Sequence, residues 1–218
     1  MIIAIDGPAG AGKSTVAKIV AKQLGFIYID TGAMYRALTL KVLEKKIDLK
    51  DTTRIIEIAH SASIDLTNSQ EGNLKIFLDG QDVTDKIRQP LITQFVSDIA
   101  KIKGVREVML GIQRRLGKST NAVLDGRDIG TVVFPDADKK FYIDADFAKR
   151  VERRYKELRG LGQDVDMARV ESDLRNRDNI DSTRDIAPLK RAEDAIYIDT
   201  TNMTIEEAVN RILESLHG

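Results

Sequence analysis

Residues 7–14 form a pattern that binds phosphate. They read Gly-Pro-Ala-Gly-Ala-Gly-Lys-Ser and match G-x-x-x-x-G-K-S/T in full. In such a loop the backbone N–H groups turn inward around an anion, and the N-terminus of the following helix adds partial positive charge. Lys13 would bridge the β- and γ-phosphates, and the Ser14 hydroxyl would hold Mg²⁺. The sequence therefore predicts a site for ATP with Mg²⁺, formed by Gly7, Pro8, Ala9, Gly10, Ala11, Gly12, Lys13, Ser14 and Thr15.

A second candidate follows the apolar run 122–125, where the chain reads Asp125-Gly-Arg127-Asp128. Two carboxylates and a guanidinium at a strand end could form a metal-binding loop, a substrate clamp or an ion-paired turn. An arginine fork binds phosphate oxygens in a bidentate way, which favours Arg127 as a clamp. Asp125 could steady Mg²⁺ through water or only cap the turn.

Other arginines could also meet phosphate groups. Arg36 lies one turn into a helix after the run 26–30, near the carboxyl edge of the predicted sheet, where ligands bind in such folds. Arg177, Asp181 and Arg184 are spaced i, i+4 and i+7, so a continuing helix would place them on one face. The alternative for these three residues is a surface ion-pair ladder.

The segment 149–162 is a candidate lid. It carries six basic residues and ends in Gly160-Leu-Gly162, which suits a flexible tip. Arg150 and Arg154 are the candidates for catalytic arginines that contact the transferring phosphate. The alternative is a solvated helix face, since two glutamates partly balance the charge. The basic residues are Lys149, Arg150, Arg153, Arg154, Lys156 and Arg159.

Five short apolar runs would position these groups. They span 2–6, 26–30, 122–125, 140–144 and 196–199, and each ends in Asp. Runs that are apolar on both faces are typical of buried parallel strands. Helical patterns at 13–24, at 148–161 and after Thr204 lie between or after them. We therefore predict an α/β fold, a doubly wound five-stranded parallel sheet of the P-loop kinase type.

One stretch departs from this alternation. Residues 63–88 alternate apolar and polar positions, and Asp79-Gly80 is a hairpin signal, so a small antiparallel β insert is expected. Pro90 suits the first turn of a helix that would run to about Lys103.

Composition limits the class of protein further. The 218 residues carry 34 Lys+Arg and 34 Asp+Glu, and this balance argues against binding to bulk nucleic acid or an anionic membrane. Cysteine is absent, which excludes a disulfide framework and a thiolate site. The chain shows no signal peptide and no apolar run near the ~20 residues that span a bilayer. We expect a cytoplasmic monomer that binds neither nucleic acid nor membrane.

Three classes of P-loop protein then compete. A GTPase would show the guanine-reading N/T-K-x-D tetrapeptide, which the sequence lacks. A motor or switch ATPase would show an apolar strand that ends in Asp-Glu, and no strand here ends in that way. A kinase for a small acceptor remains, because it needs a second pocket with cations beside the γ-phosphate.

Four motifs together resemble the bacterial cytidylate (CMP) kinases. They are I-D-G-P-A-G-A-G-K-S-T at 5–15, D-T-G-A-M-Y-R at 30–36, D-G-R-D-I-G-T-V-V-F-P-D-A at 125–137, and R-D-N-I-D-S-T-R at 177–184 with A-P-L at 187–189. The resemblance covers essentially all of 1–218 and implies one P-loop kinase domain with a monophosphate-binding lobe at 63–102. It also implies the reaction of ATP with CMP or dCMP to give ADP with CDP or dCDP.

The resemblance further implies roles for individual residues. Arg36 and Arg127 would clamp the phosphate of the acceptor, and Asp128 would orient that pair. The cytosine would meet Ser97, Arg106 and Arg184, while Arg177 and Asp181 would lie on the ribose side. Two positions depart from the family pattern without losing a hydroxyl: Thr31, a substrate-binding candidate, stands where relatives often have Ser, and Ser14 where many have Gly.

Overall fold

A five-stranded parallel sheet forms the centre of the protein. The computed structural model describes residues 1–68 and 74–216. Its strands are β1 (Ile2–Asp6), β2 (Ile27–Asp30), β3 (Ile64–Asn68), β4 (Leu74–Leu78), β5 (Gln81–Asp82), β6 (Ala122–Gly126), β7 (Lys139–Asp144) and β8 (Ile196–Asp199). Its α-helices are α1 (Lys13–Leu24), α2 (Thr31–Glu44), α3 (Thr52–Ser61), α4 (Pro90–Ala100), α5 (Lys103–Lys118), α6 (Phe147–Gly160), α7 (Met167–Thr183) and α8 (Ile205–Leu216).

The strand order in the main sheet is β2-β6-β1-β7-β8, and every neighbouring pair is parallel. The predicted doubly wound α/β fold and its five strands are confirmed, with shifts of one residue at some strand ends. Successive side chains on β1 enter different cores, because Ile3 and Ile5 pack with α1 and α8 while Ala4 packs with α2 and α5. Burial on both faces explains why the strand sequences are apolar throughout.

The predicted antiparallel insert is also confirmed, as a sheet of order β3-β4-β5. Asp79 and Gly80 have φ of 50° and 80°, which is the left-handed geometry of a tight hairpin between β4 and β5. The connection between β3 and β4, residues 69–73, lies outside the described residues. Ile76 and Leu78 share a hydrophobic core with Leu38 of α2, so the insert packs directly on the main domain.

The helix from Pro90 is shorter than predicted. It ends at Ala100, and a second helix, α5, begins at Lys103 and continues to Lys118. The sequence does signal α5, because Val105, Met109 and Ile112 recur at helical spacing and are buried. No helix in 1–68 and 74–216 is long and apolar enough to cross a membrane.

Candidate active site

A cleft of about 700 Å³ opens at the carboxyl ends of the parallel strands. The phosphate-binding loop after β1 lines one part of it, together with the start of α8. Residues from α2, α4, α5 and α7 and from the loop after β6 line the other part. Loops that follow parallel strands emerge at one edge of a sheet, so the fold brings together motifs that are far apart in sequence.

The phosphate-binding loop begins where β1 ends, and α1 begins at Lys13. Gly7 has φ of 145°, and a Cβ there would lie 1.9 Å from the carbonyl oxygen of Ile143 on β7. Gly10 has φ of 76°, and its Cβ would lie 2.9 Å from the carbonyl oxygen of Arg150. Only glycine fits both positions, so the loop can pack against β7 and α6 and keep its N–H groups turned inward.

Lys13 is the buried cation of this loop. Its ammonium group donates a hydrogen bond of 2.6 Å to the carbonyl oxygen of Pro8. Burial, together with the nearby guanidinium of Arg127, lowers the pKa of Lys13 to about 7, although Asp125 and Asp6 oppose this change. A buried ammonium that lacks compensating negative charge is a good partner for phosphate oxygens.

Ser14 and Asp125 form the candidate metal site. The Ser14 hydroxyl donates a hydrogen bond of 2.7 Å to one oxygen of Asp125, and the Tyr28 hydroxyl donates one of 2.9 Å to the other. Burial and the neighbouring Asp30 carboxylate raise the pKa of Asp125 to about 6. A hydroxyl beside a carboxylate is an oxygen donor set that fits Mg²⁺, which keeps waters and phosphate oxygens as its other ligands. The Asp125 side chain thus accepts hydrogen bonds from α1 and β2, and its role toward Mg²⁺ stays a prediction.

Among the described residues, no group of three or more His, Cys, Asp or Glu side chains could hold a metal ion by itself. A cation at Ser14 and Asp125 would consequently depend on oxygens from the nucleotide and from water. This donor set agrees with a metal that arrives with its nucleotide rather than one held in an all-protein cage.

Arg127 and Arg36 both line the cleft, and each pairs with a carboxylate. The Nε of Arg127 donates a hydrogen bond of 2.9 Å to Asp181 on α7, and Arg36 on α2 forms an ion pair of 3.0 Å with Asp30. Burial alone would raise the pKa of Asp181, but Arg127, Arg177 and Arg184 outweigh it and hold the pKa below the ordinary value. Each guanidinium is thus oriented by one carboxylate.

Arg177 also lines the cleft, but fewer hydrogen bonds offset the burial of its guanidinium. Its buried Nε has no hydrogen-bond partner in the described structure. Burial, together with repulsion from Arg127, lowers the pKa of Arg177 to about 10. The helix α7 continues through Asp181 and ends at Thr183, so the predicted helical face exists for two of its three residues, while Arg184 adopts an extended backbone just beyond it.

Asp128 contacts a different pair of arginines from the one predicted. One of its oxygens accepts a hydrogen bond from Arg106 on α5, and the other lies 3.3 Å from Nη2 of Arg184. The prediction that Asp128 orients Arg36 and Arg127 is therefore wrong. Asp128 and Arg127 are adjacent in the chain, but their side chains bind different helices. Asp128 contacts Arg106 on α5, while Arg127 contacts Asp181 on α7. The Arg106 guanidinium also lies 5.6 Å above the centre of the Tyr35 ring.

Two other predicted substrate residues line the cleft. Ser97 is buried on α4, next to the Arg106 side of the cleft. Thr31 begins α2, and its hydroxyl donates a hydrogen bond of 2.7 Å to the carbonyl oxygen of Asp125. The hydroxyl of Thr31 thus joins the ends of β2 and β6.

The two candidate lid arginines occupy different environments. Arg150 is buried, and its guanidinium binds the carbonyl oxygens of Ala145 and Ala9 and, at 2.5 Å, the carboxylate of Asp178. These hydrogen bonds connect α6 to the phosphate-binding loop and to α7. Arg154 lines the cleft and pairs with Glu157 at 2.8 Å, an ion pair within one helical turn.

A parallel sheet of this order with a complete phosphate-binding loop and a facing group of arginines defines a P-loop kinase. The model of the cytidylate kinase family matches residues 3–218. The chain belongs to the cytidylate kinase family.

Individual relatives agree with this membership. A cytidylate kinase from Caldanaerobacter subterraneus subsp. tengcongensis is 51% identical over 214 residues, which cover 98% of this chain and 93% of that protein. A cytidylate kinase from Clostridioides difficile is 48% identical over 217 residues, covering 100% of this chain and 98% of that protein.

Solved structures share the fold at much lower identity. A shikimate kinase from Bacteroides thetaiotaomicron superposes with a TM-score of 0.51 at 13% identity, covering 100% of this chain and 99% of that one. An uncharacterised protein from Eubacterium ventriosum superposes with a TM-score of 0.53 at 12% identity, covering 100% of this chain and 98% of that one.

Proposed function

We propose that the protein transfers the γ-phosphoryl group of ATP to CMP and dCMP, giving ADP with CDP or dCDP. The observation that carries this proposal is one cleft, in a member of the cytidylate kinase family, with a phosphate-binding loop in one part and a group of arginines in the other. Catalysis then consists mainly of positioning two phosphate groups and neutralising their charge.

At the donor end, the loop 7–15 holds the triphosphate. The backbone N–H groups surround the β-phosphate, and Lys13 meets the β- and γ-phosphate oxygens. Mg²⁺ bound through Ser14, with Asp125 contacting it directly or through water, would neutralise charge on the phosphates. Binding of the nucleotide would raise the low pKa of Lys13, because the phosphates supply the negative charge that its burial lacks.

At the acceptor end, Arg127 and Arg36 clamp the phosphate of CMP. Their carboxylate partners, Asp181 and Asp30, leave the remaining guanidinium N–H groups for phosphate oxygens. Arg177 fits the same end, since an anion would satisfy its unpaired Nε and oppose the burial that lowers its pKa.

We assign the cytosine to the part of the same cleft that is lined by Ser97, Arg106, Asp128 and Arg184. The two arginines donate hydrogen bonds, the Asp128 carboxylate accepts them, and the Ser97 hydroxyl does both. Cytosine presents acceptors at O2 and N3 and a donor at its amino group, so this mixed set of side chains suits its edge. Asp181 remains on the ribose side, adjacent to the phosphate clamp.

The transfer needs no strong general base. The phosphate of CMP is largely ionised at neutral pH, and its oxygen attacks the γ-phosphorus in line while the bond to the bridging oxygen of ADP breaks. Arg154 on the lid segment 149–162 is the better candidate for contact with the transferring group, because Arg150 already has three partners. A single chain supplies both ends of the cleft, so we propose that the protein acts as a monomer of 24.3 kDa.

An ADP-release assay with CMP, dCMP, UMP, AMP and GMP as separate acceptors tests the proposal. We expect CMP and dCMP to give the largest kcat/KM and ADP release to depend on Mg²⁺. Activity with AMP or GMP but not with CMP would refute the cytidylate assignment. Where an arginine of the cleft is replaced in this assay, Arg115→Lys is the matched control, because Arg115 is exposed on α5 and does not line the cleft.

A further inference from the structure

The segment that follows Arg127 and Asp128 has an uncommon backbone. Residues Ile129–Val133 form one π-helical turn, in which the N–H of Val133 bonds to the carbonyl oxygen of Asp128 at 3.1 Å. π-turns are rare and are found frequently at functional sites. The support for this turn determines where the two preceding residues point.

Asp6 supports the start of the turn. This carboxylate ends β1, is almost fully buried, and accepts hydrogen bonds of 2.8 Å from the N–H of Ile129 and 2.7 Å from the N–H of Gly130. Both of its oxygens are therefore bound to the turn. Because the next residue is Gly7, the same side chain connects the turn to the first residue of the phosphate-binding loop.

Arg114 supports the end of the turn. Its Nε donates a hydrogen bond of 2.8 Å to the carbonyl oxygen of Val133, and its Nη2 donates one of 2.8 Å to that of Val132. Arg114 lies on α5 and is not among the described residues that line the cleft. A fork with two carbonyl partners fixes both position and direction, which a single ammonium group does not.

Resting on the proposed function, we propose that Asp6 and Arg114 are positioning residues that set Arg127 and Asp128 against the phosphate-binding loop. Asp6 holds the N–H groups of the turn and Arg114 holds its carbonyl groups, so the turn cannot rotate or slide along α5. Neither Asp6 nor Arg114 is among the described residues that line the cleft. Their effect reaches the acceptor through the direction of the Arg127 and Asp128 side chains.

The distance between the donor and acceptor phosphates depends on this arrangement. A misplacement of about 1 Å reduces turnover by about 10²-fold in reactions that rely on positioning. Loosening the turn should therefore affect kcat and the KM for CMP together. The ATP site should change little when Arg114 is replaced, because Arg114 contacts only the far end of the turn.

The test compares Arg114→Met with the matched control Arg115→Met, an exposed neighbour on the same helix. Steady-state kinetics give kcat, KM for CMP and KM for ATP, and thermal melting gives stability. We expect Arg114→Met to raise the KM for CMP and lower kcat, each by about tenfold or more, while the KM for ATP stays within about twofold. Arg115→Met should match the unmodified protein in all four quantities.

Arg114→Lys and Asp6→Asn extend the test. The lysine retains the charge and a single donor nitrogen in place of the fork, so it should recover part of the loss and can replace the methionine variant if that does not fold. Asp6→Asn places an amide N–H against a backbone N–H and should show the same rise in the KM for CMP.

Two results would overturn the inference: unchanged CMP kinetics in Arg114→Met, or a rise in the KM for ATP as large as the rise in the KM for CMP. The proposed function fails in a different way, because the unmodified protein would then release no ADP in response to CMP.

Discussion

Replacement of Arg127 by lysine tests the acceptor clamp most directly. Lysine keeps the positive charge of the side chain, so the electrostatic environment of Lys13 is retained and only the geometry of the fork is lost. In the structure the Nε of Arg127 is already bound to Asp181 at 2.9 Å, and Nη1 donates to the carbonyl oxygen of Gly126 at 3.3 Å, so the other terminal N–H groups are the ones left for a phosphate. A single ammonium group cannot keep the Asp181 contact and form the same phosphate contacts.

The size of the effect follows from the bonds lost. A hydrogen bond to a charged group contributes about 1.5–3 kcal/mol, and each ~1.4 kcal/mol changes a rate about tenfold. Loss of one such bond therefore predicts a fall of roughly 10- to 150-fold in kcat/KM for CMP. The dissociation constant of ATP should stay within about twofold, because Arg127 makes no hydrogen bond to the phosphate-binding loop among the described contacts.

The assay is ADP release at varied CMP and saturating ATP, with ATP binding measured separately by calorimetry. Arg115→Lys is the control for a general effect of replacing arginine. If Arg127→Lys keeps the kcat/KM of the unmodified protein for CMP, Arg127 does not clamp the acceptor and the geometric argument is refuted.

Three further predictions concern stability and the metal site. Gly117→Ala should lower the free energy of unfolding by about 1–3 kcal/mol, because its Cβ would lie 2.6 Å from the Phe134 ring. Gly111 on the same helix has open space around it, so Gly111→Ala should raise the free energy of unfolding by about 0.5–1 kcal/mol. Urea denaturation of both variants checks this prediction, and equal effects would contradict it. Tyr28→Phe removes the 2.9 Å hydrogen bond to a buried oxygen of Asp125 and should lower the free energy of unfolding by about 1–3 kcal/mol. It should also raise the Mg²⁺ concentration that gives half-maximal activity. An unchanged Mg²⁺ titration would show that Tyr28 does not support the metal site. Burial raises the pKa of Asp6 from 3.8 to about 7, so between these pH values the folded protein keeps a proton that the unfolded chain releases. The contribution of protonated Asp6 to stability is therefore full below about pH 4 and is lost as the pH rises to about 7. The stability difference between the unmodified protein and Asp6→Asn should thus be larger at about pH 5 than at about pH 8, and a difference that is flat with pH would contradict the assignment.

Local patterns predicted most of the main domain. The five parallel strands, α1 and the hairpin at Asp79-Gly80 depend on short runs of residues, so the sequence signals them directly. The capping box of α8 is present as well, because the Thr204 N–H donates to Glu207 at 2.7 Å and the Glu207 N–H donates to the Thr204 hydroxyl at 3.2 Å. Helix α3 was missed, although Asp51 caps it and Ile55 and Ile58 are buried at helical spacing.

The partners of the charged residues could not be read in the same way. A guanidinium can pair with any carboxylate that the fold brings near it, and spacing along the chain does not show which one that is. Arg127 pairs with Asp181, 54 positions away, and Arg106 pairs with Asp128, 22 positions away. Arg150 is predicted to contact the transferring phosphate from a lid, and in the structure it binds the carbonyl oxygen of Ala9, 141 positions earlier.

The sequence by itself determined the phosphate-binding loop, the five parallel strands and the kinase family, because each depends on residue types at short spacing or on motifs in a given order. Tertiary structure alone decided which carboxylate orients which arginine, and that Asp6 and Arg114 hold the turn after Asp128. The physical reason is that parallel strands deliver their loops to one edge of the sheet. Residues as far apart as Asp6 and Gly130 come within 2.7 Å there, and their pairing depends on packing that no local pattern contains.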